Sequence, residues 1–286
     1  MALVAGIFFA LLIGNPWLGF TKKWNSPLLM IAVVGLGFGT NLEVVARVGV
    51  QGFGYTIASI AAAFFFGWLL AKIFQVPKDI AVLITSGTAI CGGSAIASVA
   101  VAMNAKSEEI STALATVFFL NAIGLIVFPT IGTFFHLDQS QFGLWCALAI
   151  HDTSSVVGAA AQFGKQALEI GTTVKLARAL WIVPVTLGVS ALYHSHKTKI
   201  KIPWFILGFL LASALVTWIP FFVAPGTYLL DFARKLLILT LFFTGANLTA
   251  KTLRDMGFRP FLLGLTLWIT LAVASLGGIL ANWLRV

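Results

Sequence analysis

Charge is what this sequence has least of. Charged residues make up 9% of its 286 positions and hydrophobic residues 59%. A soluble domain carries about 25% charged residues. Such a chain cannot cover a water-facing surface, and its mean hydropathy of +1.01 places it in a membrane. Acids are scarcest, with nine Asp and Glu against eighteen Lys and Arg. Those few carboxylates fall mostly in loops, so no catalytic pair stands out and no enzyme activity is expected. Cysteine is almost absent. The two present, Cys91 and Cys146, exclude a disulfide framework. Zinc-type ligand spacing, a phosphate-binding loop and a nucleophile elbow are missing too, so no metal site is expected. The net charge of +9 would point to nucleic acid in a soluble protein. Here the basic residues lie mostly in loops, where they orient a membrane protein, and nucleic acid is not expected as a partner.

What is present is a series of apolar runs. A spanning helix needs about 20 apolar residues, so the chain has room for about ten. They read as Met1–Phe20, interrupted at Gly14-Asn15-Pro16; Leu28–Val45, broken by Gly37-Phe38-Gly39-Thr40-Asn41; Phe53–Phe74; and Ile80–Met103, broken by Thr88 to Ser94. Ile110–Phe135 and Phe142–Phe163 follow, the latter interrupted by His151-Asp152-Thr153-Ser154-Ser155. Ile170–Tyr193, Ile202–Val223, Tyr228–Leu248 and Phe258–Leu284 complete the set. The first run lacks a basic leader and a cleavage site, so it reads as a retained span rather than a signal peptide.

Two internal similarities organise these runs. Gly39-Thr40-Asn41-Leu42 resembles Gly245-Ala246-Asn247-Leu248, and each is followed by an Arg, a Gly and another span. Ala89-Ile90-Cys91-Gly92-Gly93-Ser94 resembles Ala149-Ile150-His151-Asp152-Thr153-Ser154. Downstream, Glu109-Ile110-Ser111-Thr112 matches Glu169-Ile170-Gly171-Thr172. The first pair implies segments of opposite direction, the inverted plan common in secondary transporters. The second pair joins that plan only if segments four and six are re-entrant hairpins entering from opposite sides. Full spans would leave them parallel. The expected fold is therefore an all-α membrane protein of about ten helical segments. It has inverted repeats with two broken or re-entrant helices meeting near the midplane. It forms a single polytopic domain over 1–286, with approximate repeat halves 1–135 and 139–286.

Charge placement fits the hairpin arrangement. One side collects Lys22, Lys23, Lys72, Lys78, Lys106, Lys197, Lys199, Lys201, Lys251, Arg254 and Arg259. The other holds Arg47, Lys165 and Arg285, with Arg234 and Lys235 near its surface. The basic-rich side is cytoplasmic by the positive-inside rule. That leaves Met1 outside and directly against an apolar span, as if a helix preceded it.

Three stretches carry chemistry. Broken helices expose backbone groups that lipid cannot satisfy, so such breaks line cavities or meet other protein. Free helix N-termini favour anions. At Cys91-Gly92-Gly93-Ser94 the glycines allow close approach to the backbone and Ser94 is a candidate N-cap; close helix packing is the alternative. At the second break His151 and Asp152 bring titratable groups into the membrane, where they are usually paired or functional. Asp152 also suits an N-cap. Thr153, Ser154 and Ser155 offer hydroxyls to an oxyanion or to a cation. Lys175 and Arg178 share a helix face about one turn inside span seven. They can form an anion site, Arg with a bidentate fork and Lys as a point charge, or snorkel to the interface. Asn41 and Asn247 cap helices or line the pathway. His136, His194 and His196 fall in solvated loops.

The stretches Ala89–Ala95, Ile150–Val157 and Lys175–Arg178, in this order, resemble the three signatures of the YeiH-type bacterial membrane proteins, a sulfate exporter family. The resemblance covers nearly the whole chain. It implies membership of the broad cation–proton antiporter and anion transporter superfamily, with inverted repeats and broken helices at the binding site. Three features differ. Asp152 stands where the family often has Glu, an Arg near Gly39 is missing, and the family usually has one more N-terminal helix.

The expectation is a multi-pass secondary transporter of the bacterial inner membrane. It exports a small oxyanion, which the resemblance implies is sulfate or sulfite, by alternating access. Its substrate-binding residues are Cys91, Gly92, Gly93, Ser94, His151, Asp152, Thr153, Ser154, Ser155, Lys175 and Arg178. No cofactor is expected beyond a coupling proton or sodium ion. The expected partners are the lipid bilayer and the small anion, with homo-oligomer formation left open. A sodium/proton antiporter or cation-coupled organic-anion carrier is the alternative, and a non-transport integral membrane protein ranks third.

Overall fold

The structure is a computed structural model that describes residues 2–193, 204–247, 249 and 256–285. His194, His196, Lys197, Lys199, Lys201, Leu248, Lys251 and Arg254 lie outside these residues. Among the described residues the chain is helical throughout, without strands. The α-helices are α1 Ala2–Leu12, α2 Leu18–Leu36, α3 Leu42–Ile73, α4 Lys78–Ala89, α5 Gly93–Met103, α6 Ser107–Phe134 and α7 Gln139–Ala149. They continue with α8 Thr153–Phe163, α9 Lys165–Ala179, α10 Ile182–Leu192, α11 Trp204–Trp218, α12 Val223–Ala246 and α13 Phe258–Leu280. Four stretches are long and apolar enough to cross a membrane, or up to six if two sharply bent pairs count as one span each.

The chain divides into two compact units. One comprises Met1–Gly49 and Pro203–Ala250, the other Val50–Ile202 and Lys251–Val286. In the first unit α1 and α12 cross at Gly6 and Gly245, each packed against the other helix's backbone. A side chain at either position would collide with main chain. The polar stretch Thr21–Ser26, which sequence alone makes a loop, is helical and lies inside α2, as does Pro27. Tertiary hydrogen bonds hold it. Thr21 donates to Asn247 Oδ1 at 2.6 Å, and Asn25 Nδ2 donates to Thr244 Oγ1 at 3.0 Å. The expected break after Leu36 is present, with a bend of 108° between Leu18–Gly39 and Leu42–Val50. Asn41 closes it as a cap, its Oδ1 accepting the Glu43 N–H at 2.7 Å. A matching bend of 111° falls between Trp204–Trp218 and Pro220–Ala246, one helix earlier than the Gly245–Asn247 similarity. Span three is present as Phe53–Ile73, and its helix starts upstream at Leu42, running unbroken through Arg47 and Gly49.

The second unit holds the two expected breaks, and both are helical hairpins. In the first, Gly87 on α4 lies against Ile96 on α5. Val76, Ala81, Ala100 and Met103 share one apolar cluster at its base. In the second, Phe142 at the start of α7 stacks on Phe163 at the end of α8, with centroids 3.7 Å apart. Gln139 Oε1 also accepts the Gln166 N–H at 2.9 Å. The arms are 11 or 12 residues long, or about 17 Å at 1.5 Å per residue. That is roughly half of a hydrocarbon core.

Helix α6 sets their relative direction. A short turn joins α5 to its N-terminus, and another joins its C-terminus to α7. The hairpin bases therefore lie at opposite ends of a 28-residue helix. Both tips lie near its middle, with Gly93 against Phe118 and Ile150 against Gly124. Lys72, Lys78 and Lys106 flank the base of the first hairpin and Lys165 that of the second.

Candidate functional site

The two tips touch. Gly92 sits at φ 65°, ψ −125°, a backbone region essentially restricted to glycine. A Cβ there would lie 3.0 Å from Asp152 Cβ. Thus the smallest residue of one tip makes room for the carboxylate residue of the other.

Each tip presents a helix C-terminus and a helix N-terminus. The last carbonyls of a helix have no partner within it. Here Lys175 and Arg178 supply one. Lys175 Nζ donates to Ile150 O at 2.6 Å and, at 3.5 Å, reaches Ala147 O. Arg178 donates through one terminal nitrogen to Ala147 O at 3.1 Å and Leu148 O at 2.6 Å. Through the other it donates to Ala89 O. Arg178 therefore ties the end of α4 to the end of α7. Both side chains are 0% exposed, which rules out snorkelling. They also lie deeper than one turn inside a span, because the helix starts at Lys165 rather than Ile170 and continues, past a short interruption, to Leu192.

The N-termini differ. Asp152 caps α8, with Oδ1 accepting the Ser155 N–H at 2.7 Å and Oδ2 the Ser154 hydroxyl at 2.9 Å. On α5 the expected cap is not made. Gly92 holds the N-cap position without a side-chain bond, and Ser94 lies exposed in the first turn. The chain turns straight into the helix through the positive φ of Gly92, so Ser94 falls two positions too late to cap. The buried Cys91 thiol faces the Ala95 N–H instead.

Two residues that sequence reading did not select complete the site. Asn121 on α6, 1% exposed, accepts both the His151 N–H and a contact from His151 Nδ1 through Oδ1, each at 3.1 Å. Trp268 on α13 donates its indole N–H to Ala149 O at 3.0 Å and packs on the His151 ring with centroids 5.9 Å apart. Both carried a signal. Asn121 is a lone amide within an apolar span, and Trp268 is a tryptophan well away from any span end.

Several buried polar atoms around the tips have no protein partner. They are Ser86 Oγ, Asn121 Nδ2, His151 Nε2, Ser155 Oγ, Thr172 Oγ1, Thr173 Oγ1 and Arg178 Nε. All but the imidazole nitrogen carry hydrogens to donate. No salt bridge within 4.0 Å is found for Lys175 or Arg178 among the described residues. Two cations and one carboxylate, Asp152, leave the tips at a formal +1 (+2 − 1).

An all-α chain with membrane-length helices and two opposed hairpins meeting at buried charges defines a polytopic membrane protein built on inverted elements. The chain belongs to the UPF0324 membrane protein family, which the YeiH-type resemblance fits. The family model described as conserved hypothetical protein 698 matches residues 1–264. A UPF0324 membrane protein of Bdellovibrio bacteriovorus is 52% identical, covering 99% of this chain and 89% of that one. One of Bacteroides thetaiotaomicron is 45% identical, covering 96% and 84%. One of Geobacter sulfurreducens is 43% identical, covering 99% and 91%. No solved structure matches the chain.

Proposed function

We propose that this protein is a secondary carrier that moves a small oxyanion of the sulfate or sulfite class across the bacterial inner membrane by alternating access. The observation that carries the reading is the pair of buried cations, Lys175 and Arg178, at the junction of two hairpin tips without a carboxylate partner. The tips' formal +1 favours an anion, and the unpartnered donors around them suit an oxyanion's several acceptors. The uncapped start of α5 adds a helix N-terminus of the same preference. Outward direction and the sulfur oxyanions come from the family resemblance alone.

The test is flux of radiolabelled sulfate and sulfite into proteoliposomes holding the purified protein. Saturable, protein-dependent uptake is expected, with loss in Lys175→Ala and Arg178→Ala. Ser155→Ala and Thr172→Ala remove free hydroxyls without touching the tip-stapling bonds, and should weaken uptake while leaving the fold intact. Full retention in all four variants would refute the anion site. Cation movement on a sodium or pH jump without any anion would favour the antiporter, with Asp152 and the Thr153–Ser155 hydroxyls holding the cation.

A further inference from the structure

Asn121 fixes the chemical state of His151. The backbone N–H of His151 is an unambiguous donor, so the Asn121 atom that it meets is the acceptor oxygen. The same oxygen meets His151 Nδ1. Two acceptors cannot face each other, so Nδ1 carries the ring hydrogen. The neutral ring then bears its lone pair on Nε2. That nitrogen is buried and has no partner, in a residue 0% exposed. A lone pair held in place without a donor is a vacant proton-acceptor position.

The surroundings of the ring set the condition for filling it. Helix α6 presents the neutral Asn121 and α13 the neutral Trp268. From α9, Lys175 and Arg178 lie within electrostatic reach of the imidazole. Across the tips lies the Cys91 thiol, and the adjacent carboxylate, Asp152, is bound to its own helix end. Protonation would raise the formal charge of the tips from +1 to +2. An oxyanion beside Lys175 and Arg178 would offset that increase. By linkage each ligand then tightens the other by the same factor.

From this arrangement we infer that His151 Nε2 is a proton site filled together with the substrate anion, making the protein a proton–oxyanion symporter. The inference rests on the carrier reading above and specifies its coupling ion. The proton comes from hydronium on the loading side, whose O–H bond breaks as the Nε2–H bond forms, and it returns to water when the anion is released on the other side. Asn121 is a positioning residue, holding the tautomer that keeps Nε2 vacant.

The experiment uses wild-type proteoliposomes with a luminal pH dye, an inward sulfate or sulfite gradient and a clamped membrane potential. Lumen acidification in step with anion uptake is expected, with uptake rising on the order of tenfold as external pH is lowered through the coupling range. His151→Asn keeps a donor for Asn121 Oδ1 but removes the proton acceptor. It should lose acidification and flatten the pH profile of the anion flux that remains. Anion uptake without proton movement, or with alkalinisation, would overturn the coupling while leaving the carrier intact. Retained acidification in His151→Asn would overturn the assignment to this residue. Absence of any anion flux in the wild type would overturn both readings. The wild-type dye signal decides the coupling even if the variant does not fold.

Discussion

Arg178→Leu tests whether the basic pair holds the hairpin tips together. The substitution removes donors from three buried carbonyls, those of Ala89, Ala147 and Leu148. Ala89 O and Leu148 O lose their side-chain donor, while Ala147 O keeps only the 3.5 Å approach of Lys175 Nζ. Interhelical polar contacts in membrane proteins average about 0.6 kcal/mol and reach about 1.7, so three amount to roughly 2–5 kcal/mol. Removing a buried cation also relieves its desolvation cost, which pulls the outcome to the lower half of that range. Arg178→Lys should fall between wild type and Leu. A single ammonium lacks the planar fork that reaches both helix ends at once. The assay is reversible denaturation by a mixed detergent titration, followed by tryptophan fluorescence. An unchanged midpoint in Arg178→Leu would refute the reasoning. It would mean that the carbonyls are satisfied without the guanidinium and that the arginine is held there for a ligand alone.

Three further outcomes follow from the same geometry. Gly92→Ala forces a side chain into a backbone region that favours glycine and into contact with Asp152; it should cost about 1–3 kcal/mol in the same titration and abolish flux, whereas Gly188→Ala, with open space around it, should be silent. Asp152→Ala should cost about 1 kcal/mol through the lost cap and Asp152→Asn much less, so equal losses in the two would show that the charge rather than the cap matters. Tyr193, just beyond α10, donates to Asp79 Oδ1 at 2.8 Å. Burial and then that bond push its phenol above the ordinary tyrosine range. Its contribution is therefore complete below that range and is lost as pH rises above it. Ultraviolet difference titration against Tyr193→Phe should show this one phenol ionising last.

The hairpins were legible because their breaks combine polar residues with half-length apolar arms. The Cys91–Ser94 and His151–Ser155 similarity also repeats with the same downstream Glu-Ile-x-Thr. Helix ends near Thr21–Pro27 were not legible, since local polarity argues for a loop there. Thr21 and Asn25 are held helical by partners more than 200 residues away, Asn247 at the C-cap of α12 and Thr244 within it. Ser94 shows the same gap at shorter range. Its residue type is right for a cap, but the backbone of Gly92 decides which residue caps the helix. Asn121 was visible as a lone amide, yet its role needs His151 beside it.

By itself the sequence determined that the chain lives in a bilayer, that it is helical, and where its backbone is interrupted. Those are consequences of composition and of run length, which act locally. Tertiary structure decided what the interruptions do. Lys175 and Arg178 could have reached for water at the interface. Burial in mid-span and the unpaired carbonyls of α4 and α7 turned them instead onto the two hairpin tips. Likewise an isolated imidazole can carry its hydrogen on either nitrogen. Only the packing of α6 against the second hairpin, with one amide oxygen already held by a backbone N–H, leaves Nε2 of His151 open.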